Sequence, residues 1–246
     1  MCSLEKRGNI HILTLTGPGE HRLSSDLLDS LRSALRHLRS QPASPSSVLI
    51  TTAHGKFFSN GYDLAWAQSA TSPSITRSRF KFLSSEFRAL ISDLISLPMP
   101  TIAAVTGHAS AGGFILALAH DYVLMRKDRG FLYMSELDIG LVIPAWFMAF
   151  LKCKIGNPSA RRDVVLRAAK LTAAKAVESG IVHSVHDGAE ATVDAAVELG
   201  KELERRKWDG HVYAKNRLVV LGEVVDKIGF DETVEGQNGD KTVSKM

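Results

Sequence analysis

Apolar positions along this 246-residue chain change period several times, and each change marks an element. Asn9 to Thr16 alternates and is β-branched (Ile10, Ile12, Leu13, Thr14, Leu15), which predicts a strand, with Arg7-Gly8-Asn9 turning into it from a short preceding strand. Gly17-Pro18-Gly19 ends that strand, and Ser24 or Ser25 is placed to cap a helix with Asp26 in its first turn. Leu27, Leu28, Leu31, Ala34, Leu35 and Leu38 then share one helical face. The Pro- and Ser-rich stretch from 41 to 47 reads as a loop, and Val48 to Thr52 as a buried strand. His54 to Asp63 reads as a loop, Ala67 to Pro73 as a surface segment, and Ser78 to Leu97 as a long helix with Phe80, Leu83, Phe87, Leu90, Ile91, Leu94 and Ile95 inward.

Ala103 to Asp121 reads as a buried strand, a small-residue turn and an apolar helix opening at Gly112-Gly113. Such a turn aims backbone N–H groups at whatever lies above it, which suits a bound anion or a negative charge that develops during a reaction. Tyr122 to Met125 and Phe131 to Met134 read as strands around a turn at 127–130. Beyond Ile143 the pattern is helical: Ala145 to Lys154, Pro158 to Ala169, Ala173 to Ser179 closed by Gly180, Ala189 to Trp208, and Val212 to Ile228, with one short extended piece at 181–185. Phe230 to Met246 reads as a flexible tail, and no internal repeat is visible. Strands alternating with helices, then helices alone, imply an α/β fold with a helical C-terminal region.

Composition narrows the function classes. An apolar fraction of 45% and a charged fraction of 23% are those of an ordinary soluble domain. The net charge of +4 is spread thinly, with no basic run and no interleaved aromatics, so nucleic acid is not the expected partner. Two cysteines without motif spacing predict neither a disulfide framework nor a zinc site. No apolar run is long enough to span a bilayer, and Met1 to Lys6 is no secretory leader. The chain ends Ser244-Lys245-Met246, one side chain from the Ser-Lys-Leu peroxisomal address.

Three segments carry candidate chemistry. In Phe58-Ser59-Asn60-Gly61-Tyr62-Asp63-Leu64, Gly61 permits a sharp turn that points the Tyr62 N–H into a cleft, with Asp63 suited to capping. Gly107 to Gly113 lacks the spacing of a dinucleotide fingerprint, and His108 stands where a nucleophile elbow at Ser110 needs glycine. His108 and His120 read as structural. In Met134 to Pro144, Glu136 is an acid among apolar neighbours, and burial raises such a group toward the range of a general base; Asp138 reads as solvent-facing or capping.

Taken together and in this order, from about Asn9 to Val185, the segments resemble the crotonase (enoyl-CoA hydratase/isomerase) superfamily. Its F-S-x-G-x-D-L loop is matched at Phe58 to Leu64, and its x-E-x-x-x-G segment at Ser135 to Gly140. Its G-x-x-x-G-G-G turn is matched at Gly107 to Gly113, with Ala111 replacing the first of the three glycines and Asp121 following the helix. The resemblance implies a ββα spiral core over 1–185 holding an acyl-CoA site, a helical oligomerisation region over 186–230, and a tail over 231–246. It also implies an oxyanion hole from the Tyr62 and Gly112 N–H groups, and substrate contacts around Ser59, Asn60, Gly61, Asp63, Leu64, Gly113 and Ile143.

The hydratases of the family use two glutamates, and the first position is Ile115 here. One remaining acid, Glu136, implies an isomerase that moves a 3-cis or 3-trans double bond to 2-trans in fatty enoyl-CoA during β-oxidation. The segment through Ile143-Pro144-Ala145-Trp146 is similar to that of such isomerases. No cofactor is implied beyond the CoA of the substrate; the implied partners are a second and third copy of the chain, as trimer or hexamer, and a peroxisomal import receptor. Leu64, Trp66, Ile115, Ile143 and Trp146 are candidates for an acyl channel, and Lys56, Lys215 or Arg217 for the CoA phosphates. Three other readings stay open: dienoyl-CoA isomerisation, hydration or hydrolysis, with Asp138 or Asp63 turned inward; acyl-CoA binding without catalysis; and a serine peptidase on a related fold, using Ser110.

Overall fold

The computed structural model describes residues 1–17, 19–40 and 47–230. The tail with Ser244-Lys245-Met246 lies outside them. Two sheets form the frame. The larger has β1 (Cys2–Arg7), β2 (Ile10–Leu15), β3 (Val48–Ala53), β5 (Thr101–Val105), β7 (Tyr122–Arg126) and β9 (Ser184–His186) side by side in that order. Only β1 runs antiparallel to its neighbour. The smaller is fully parallel: β4 (Phe57–Ser59), β6 (His108–Ser110) and β8 (Leu132–Tyr133).

The order of these strands exposes a repeat. The chain runs β3 then β4 then helices, β5 then β6 then a helix, β7 then β8 then a helix. Each turn of this spiral places one strand in the large sheet and the next in the small one. The helices of the first turn are α2 (Leu64–Gln68) and α3 (Pro73–Ile95); those of the second and third are α4 (Gly112–Leu118) and α5 (Ala145–Lys154). No repeat was expected, because its units share geometry and not sequence.

Strand alternation decides what each face of the large sheet covers. Leu13, Leu15, Leu49, Ala103, Val105 and Met125 face the main core, with α1 (Ser25–Ser40), α3, α4 and α5. Ile10, Ile12, Val48, Ile50, Ile102, Ala104 and Leu124 face the other way, onto Ala196 and Leu203 of α8 (Gly188–Arg205). Both faces are apolar, as a parallel sheet covered on both sides requires.

Several element bounds differ from expectation for local reasons. The helix α3 starts at Pro73, not Ser78, because Ser72 caps it by accepting from the Ile75 N–H, and Pro73 fits the first turn. The segment expected as one helix over 212–228 is two, α9 (Gly210–Val220) and α10 (Gly222–Ile228), divided at buried Leu221. Between α5 and α8 lie α6 (Pro158–Leu166) and α7 (Ala173–Glu178).

Candidate active site

The carboxyl ends of the small sheet carry the three segments singled out from the sequence. Tyr62 lies three residues beyond β4, Gly112 two beyond β6 and Glu136 three beyond β8. The strand register fixes their neighbourhood: Ser59 pairs with Ala109, and Ser110 with Tyr133. The Ala111 N–H donates to the Tyr133 carbonyl at 2.7 Å, so the glycine turn and the acid segment are tied directly. Crevices at strand C-termini are where parallel sheets receive ligands.

The first two turns also touch. Gly61 has φ +71°, and a side chain on it would meet Ala111 Cβ and the Ser110 carbonyl at 3.1 Å and Gly112 N at 3.3 Å. The peptides that contain the Tyr62 and Gly112 N–H groups are therefore close neighbours. Gly112 opens α4, so its N–H has no carbonyl partner within the helix. Ahead of it, Ala111 adopts φ 49° and ψ −121°, a conformation that favours glycine. Behind the site, the Tyr62 ring packs against Phe87 (5.6 Å) and Phe147 (6.5 Å).

Glu136 is buried, at 6% exposure, and its Oε2 has no hydrogen-bond partner. Burial pushes its carboxyl up to about 7. It sits at the head of a single 3₁₀ turn, Leu137–Ile139, closed by the Leu141 N–H donating to the Glu136 carbonyl at 2.8 Å. The site thus combines neighbouring backbone donors with one buried carboxyl that titrates near neutrality.

Other expected contacts have different roles. The Ser59 hydroxyl is fully buried and donates to the His21 carbonyl at 2.8 Å. The Asn60 amide donates to Glu20 at 2.8 Å, and Asp63 caps α2 by accepting from the Trp66 N–H at 3.1 Å. Gly113 is needed for packing, since a Cβ there would fall 2.1 Å from the Ser59 carbonyl oxygen. All four have a part in holding the loop together. Ile115 and Trp146 are core residues, at 0% and 1% exposure; Leu64 and Ile143 are half-buried and Trp66 is exposed.

Arg217 is not available to a phosphate. It is 6% exposed and forks onto Asp121, at 2.6 Å from both Nε and Nη2, while donating to the carbonyls of Ile95, Leu97 and Met99. Lys56 and Lys215 are exposed. His120 has both ring nitrogens engaged, Nδ1 donating to the Leu116 carbonyl and Nε2 accepting from Thr51, so it cannot serve Ser110 as a base. A cavity of about 600 Å³ near Lys154, Trp208 and Tyr213 lies among the C-terminal helices and includes none of Tyr62, Gly112 and Glu136.

The family model for enoyl-CoA hydratase/isomerase matches residues 5–221. The chain belongs to that family. It is 61% identical to the peroxisomal enoyl-CoA delta isomerase 1 of Arabidopsis thaliana, over 92% of this chain and 91% of the relative. With the peroxisomal enoyl-CoA delta isomerase 2 of the same plant it shares 49% over 95% and 98%. Among solved structures it resembles an apo enoyl-CoA isomerase of Mycobacterium tuberculosis (TM-score 0.81, 21% identity, 96% of each chain). It also resembles an enoyl-CoA hydratase of Mycobacterium ulcerans (TM-score 0.82, 19% identity, 97% and 99%). At 21% and 19% identity, both likenesses show the fold alone.

One part of this crotonase-fold site went unread in the sequence. The loop between β2 and α1 braces the Tyr62 turn: the Leu23 N–H donates to the Gly61 carbonyl (2.8 Å), and Arg22 to that of Asn60 (3.1 Å). His21 donates from Nδ1 to the Phe57 carbonyl (2.9 Å). These are backbone-directed contacts between segments some 40 positions apart, for which a loop of charged residues gives no periodic signal.

Proposed function

We infer that this chain is a peroxisomal Δ3,Δ2-enoyl-CoA isomerase of fatty-acid β-oxidation. Support comes first from the two Arabidopsis relatives, both named as peroxisomal enoyl-CoA delta isomerases and matched over nearly their whole length. The observation that carries the chemistry is the buried, unpartnered acid Glu136, in the segment tied to the Gly112 turn through the Ala111–Tyr133 backbone bond.

The thioester oxygen of a 3-enoyl-CoA is received by the Tyr62 and Gly112 N–H groups. Glu136, as carboxylate, takes a proton from C2. The electron pair delocalises through the C3–C4 double bond and the thioester, leaving a dienolate whose oxygen charge is held by the two N–H donors. Glu136 then returns the proton at C4, and the double bond ends between C2 and C3. One proton leaves and one returns, so the step calls for no redox carrier, and CoA is part of the substrate. A donor aimed at a developing oxyanion is worth about 3 kcal/mol in such a site. Ile115, buried in α4, offers no second acid to activate water.

Purified protein given 3-hexenoyl-CoA is expected to produce the conjugated 2-enoyl thioester absorbance, and Glu136→Gln to abolish turnover while acyl-CoA binding persists. Formation of 3-hydroxyacyl-CoA from 2-enoyl-CoA would reverse the assignment in favour of a hydratase. The exposed apolar side chains of α9 and α10 (Val212, Val219, Val220, Val225) support a homo-oligomer, trimer or hexamer. Light scattering is expected to give three or six times the chain mass; a monomer would refute it.

A further inference from the structure

Among the described residues, the Glu136 carboxylate is bonded only to its own backbone N–H, and so to the turn that carries it. Its Oε2 is buried without a partner, so no hydrogen bond at that oxygen aims the side chain. Its direction is set by the backbone turn that carries it. That turn is closed in two ways. The Leu141 N–H closes it from within, on the Glu136 carbonyl at 2.8 Å. Across its outside, the Tyr133 hydroxyl donates to the Asp138 carboxylate, three residues before Glu136 to two residues after it.

Tyr133 is also the residue that joins this turn to the other half of the site. It is the last residue of β8, pairs with Ser110, and accepts the Ala111 N–H at its carbonyl at 2.7 Å. Its backbone therefore fixes the Gly112 turn while its hydroxyl fixes the Glu136 turn. The ring is itself steadied by the Lys170 ammonium at 5.1 Å from its centroid and by the Phe131 ring at 5.9 Å. Leu132, the residue before it, is pinned by paired backbone bonds with Leu171 at 2.9 Å.

We propose that Tyr133 and Asp138 form a positioning pair that sets the distance and angle between the Glu136 carboxylate and the oxyanion turn at Gly112. Neither residue needs to touch substrate. Asp138, which the sequence offers as a solvent-facing or capping acid, acts through Tyr133 on the base. The proposal rests on the reading of Glu136 as the isomerase base. Misplacement of a catalytic group by about 1 Å costs on the order of a hundredfold in rate, whereas substrate affinity depends on other contacts. Loss of the pair is therefore read in kcat and not in KM.

The test is a double-mutant cycle in the full-length protein, with Tyr133→Phe, Asp138→Ala and both together, assayed on 3-hexenoyl-CoA beside wild type and Glu136→Gln. Each single variant is expected to lose about tenfold to a hundredfold in kcat with KM within about twofold and the folded state intact by thermal unfolding. The double variant is expected to be no slower than the slower single one, because both remove the same strap. Asp138→Asn, which keeps an acceptor for the tyrosine hydroxyl, is expected to recover most of the rate. Wild-type kcat in both single variants, fully additive losses, a change confined to KM, or losses that merely track unfolding would each overturn the proposal. Failure of the underlying reading looks different: Glu136→Gln would then retain turnover.

Discussion

At the scale of single residues, Glu136 shows how function is set against stability. Its carboxyl is raised from 4.5 to about 7 by burial, so below pH 4.5 both the folded and the unfolded chain hold it protonated. Between 4.5 and about 7 the unfolded chain gives up this proton and the folded one keeps it, so stability falls as pH rises; above 7 the loss is complete. At 1.36 kcal/mol per pH unit the total is about 3 kcal/mol. Glu136→Gln keeps the shape and removes the titration. Its stability relative to wild type is therefore expected to be about 3 kcal/mol more favourable at pH 8 than at pH 4, by denaturant unfolding at the two pH values. Taking this difference cancels other titrating groups, among them His120, whose buried ring is held neutral down to about 4. The same ionisation governs rate: kcat/KM of the wild type is expected to rise with pH and level off above about 7, since only the carboxylate takes a proton. A profile flat from pH 5 to 9 would remove Glu136 as the base. This residue was legible in the sequence because an acid inside an apolar run is anomalous. The capping role of Asp63 was legible too, but the loop-holding roles of Ser59 and Asn60 were not, because a polar side chain that holds a loop and one that holds a ligand have the same composition.

At the scale of elements, the site is made by three very short strands, each followed at once by a turn. The long helices and the strands of the large sheet declare themselves through periods of 3.6 and 2. Strands of two or three residues contain too few positions to show a period, so β4 and β6 were read as loop and turn, and only β8 was read as a strand, within Phe131 to Met134. The repeat they belong to was invisible for the same reason. The turn after β6 carries a local conflict of its own. Ala111 holds φ 49° and ψ −121° where the family pattern has glycine, and such a conformation costs a non-glycine residue about 1–3 kcal/mol. Ala111→Gly removes that strain but adds freedom to the unfolded chain worth roughly 0.5–1 kcal/mol. The strain is the larger quantity, so the variant is expected to be about 1 kcal/mol more stable in denaturant unfolding, with isomerase turnover preserved. A variant less stable than wild type would mean that the Ala111 methyl, in reach of Gly61, contributes packing that outweighs its backbone cost.

At the scale of the whole molecule, Arg217 fastens α9 to the spiral, beside the Lys152–Glu223 pair and the Arg88 bond to the Ile228 carbonyl that hold α10. Arg217 of α9 reaches into the junction between α3 and β5, where the carbonyls of Ile95, Leu97 and Met99 lack partners from regular structure, and satisfies them. It also pairs with Asp121, whose Oδ2 accepts in addition from the Thr101 N–H (2.8 Å) and hydroxyl (3.1 Å) at the start of β5. Burial pushes the Asp121 carboxyl up, but Arg217 and Thr101 outweigh it and leave it below its ordinary value. The guanidinium thus binds the end of α3, the start of β5, the end of α4 and α9 into one unit. Removing it strands a buried carboxylate and three carbonyls at once. Arg217→Met is therefore expected to lose about 3–5 kcal/mol in denaturant unfolding, the cost of breaking a buried pair from one side. Arg217→Lys is expected to recover little of this, because an ammonium cannot spread five donors over a carboxylate and three carbonyls. If Arg217 instead met CoA phosphates, as its position in a C-terminal helix had first allowed, the main effect of both substitutions would fall on KM, with stability nearly unchanged. Unfolding curves and steady-state kinetics on the same two variants separate these outcomes, and the burial of the side chain decides for the first.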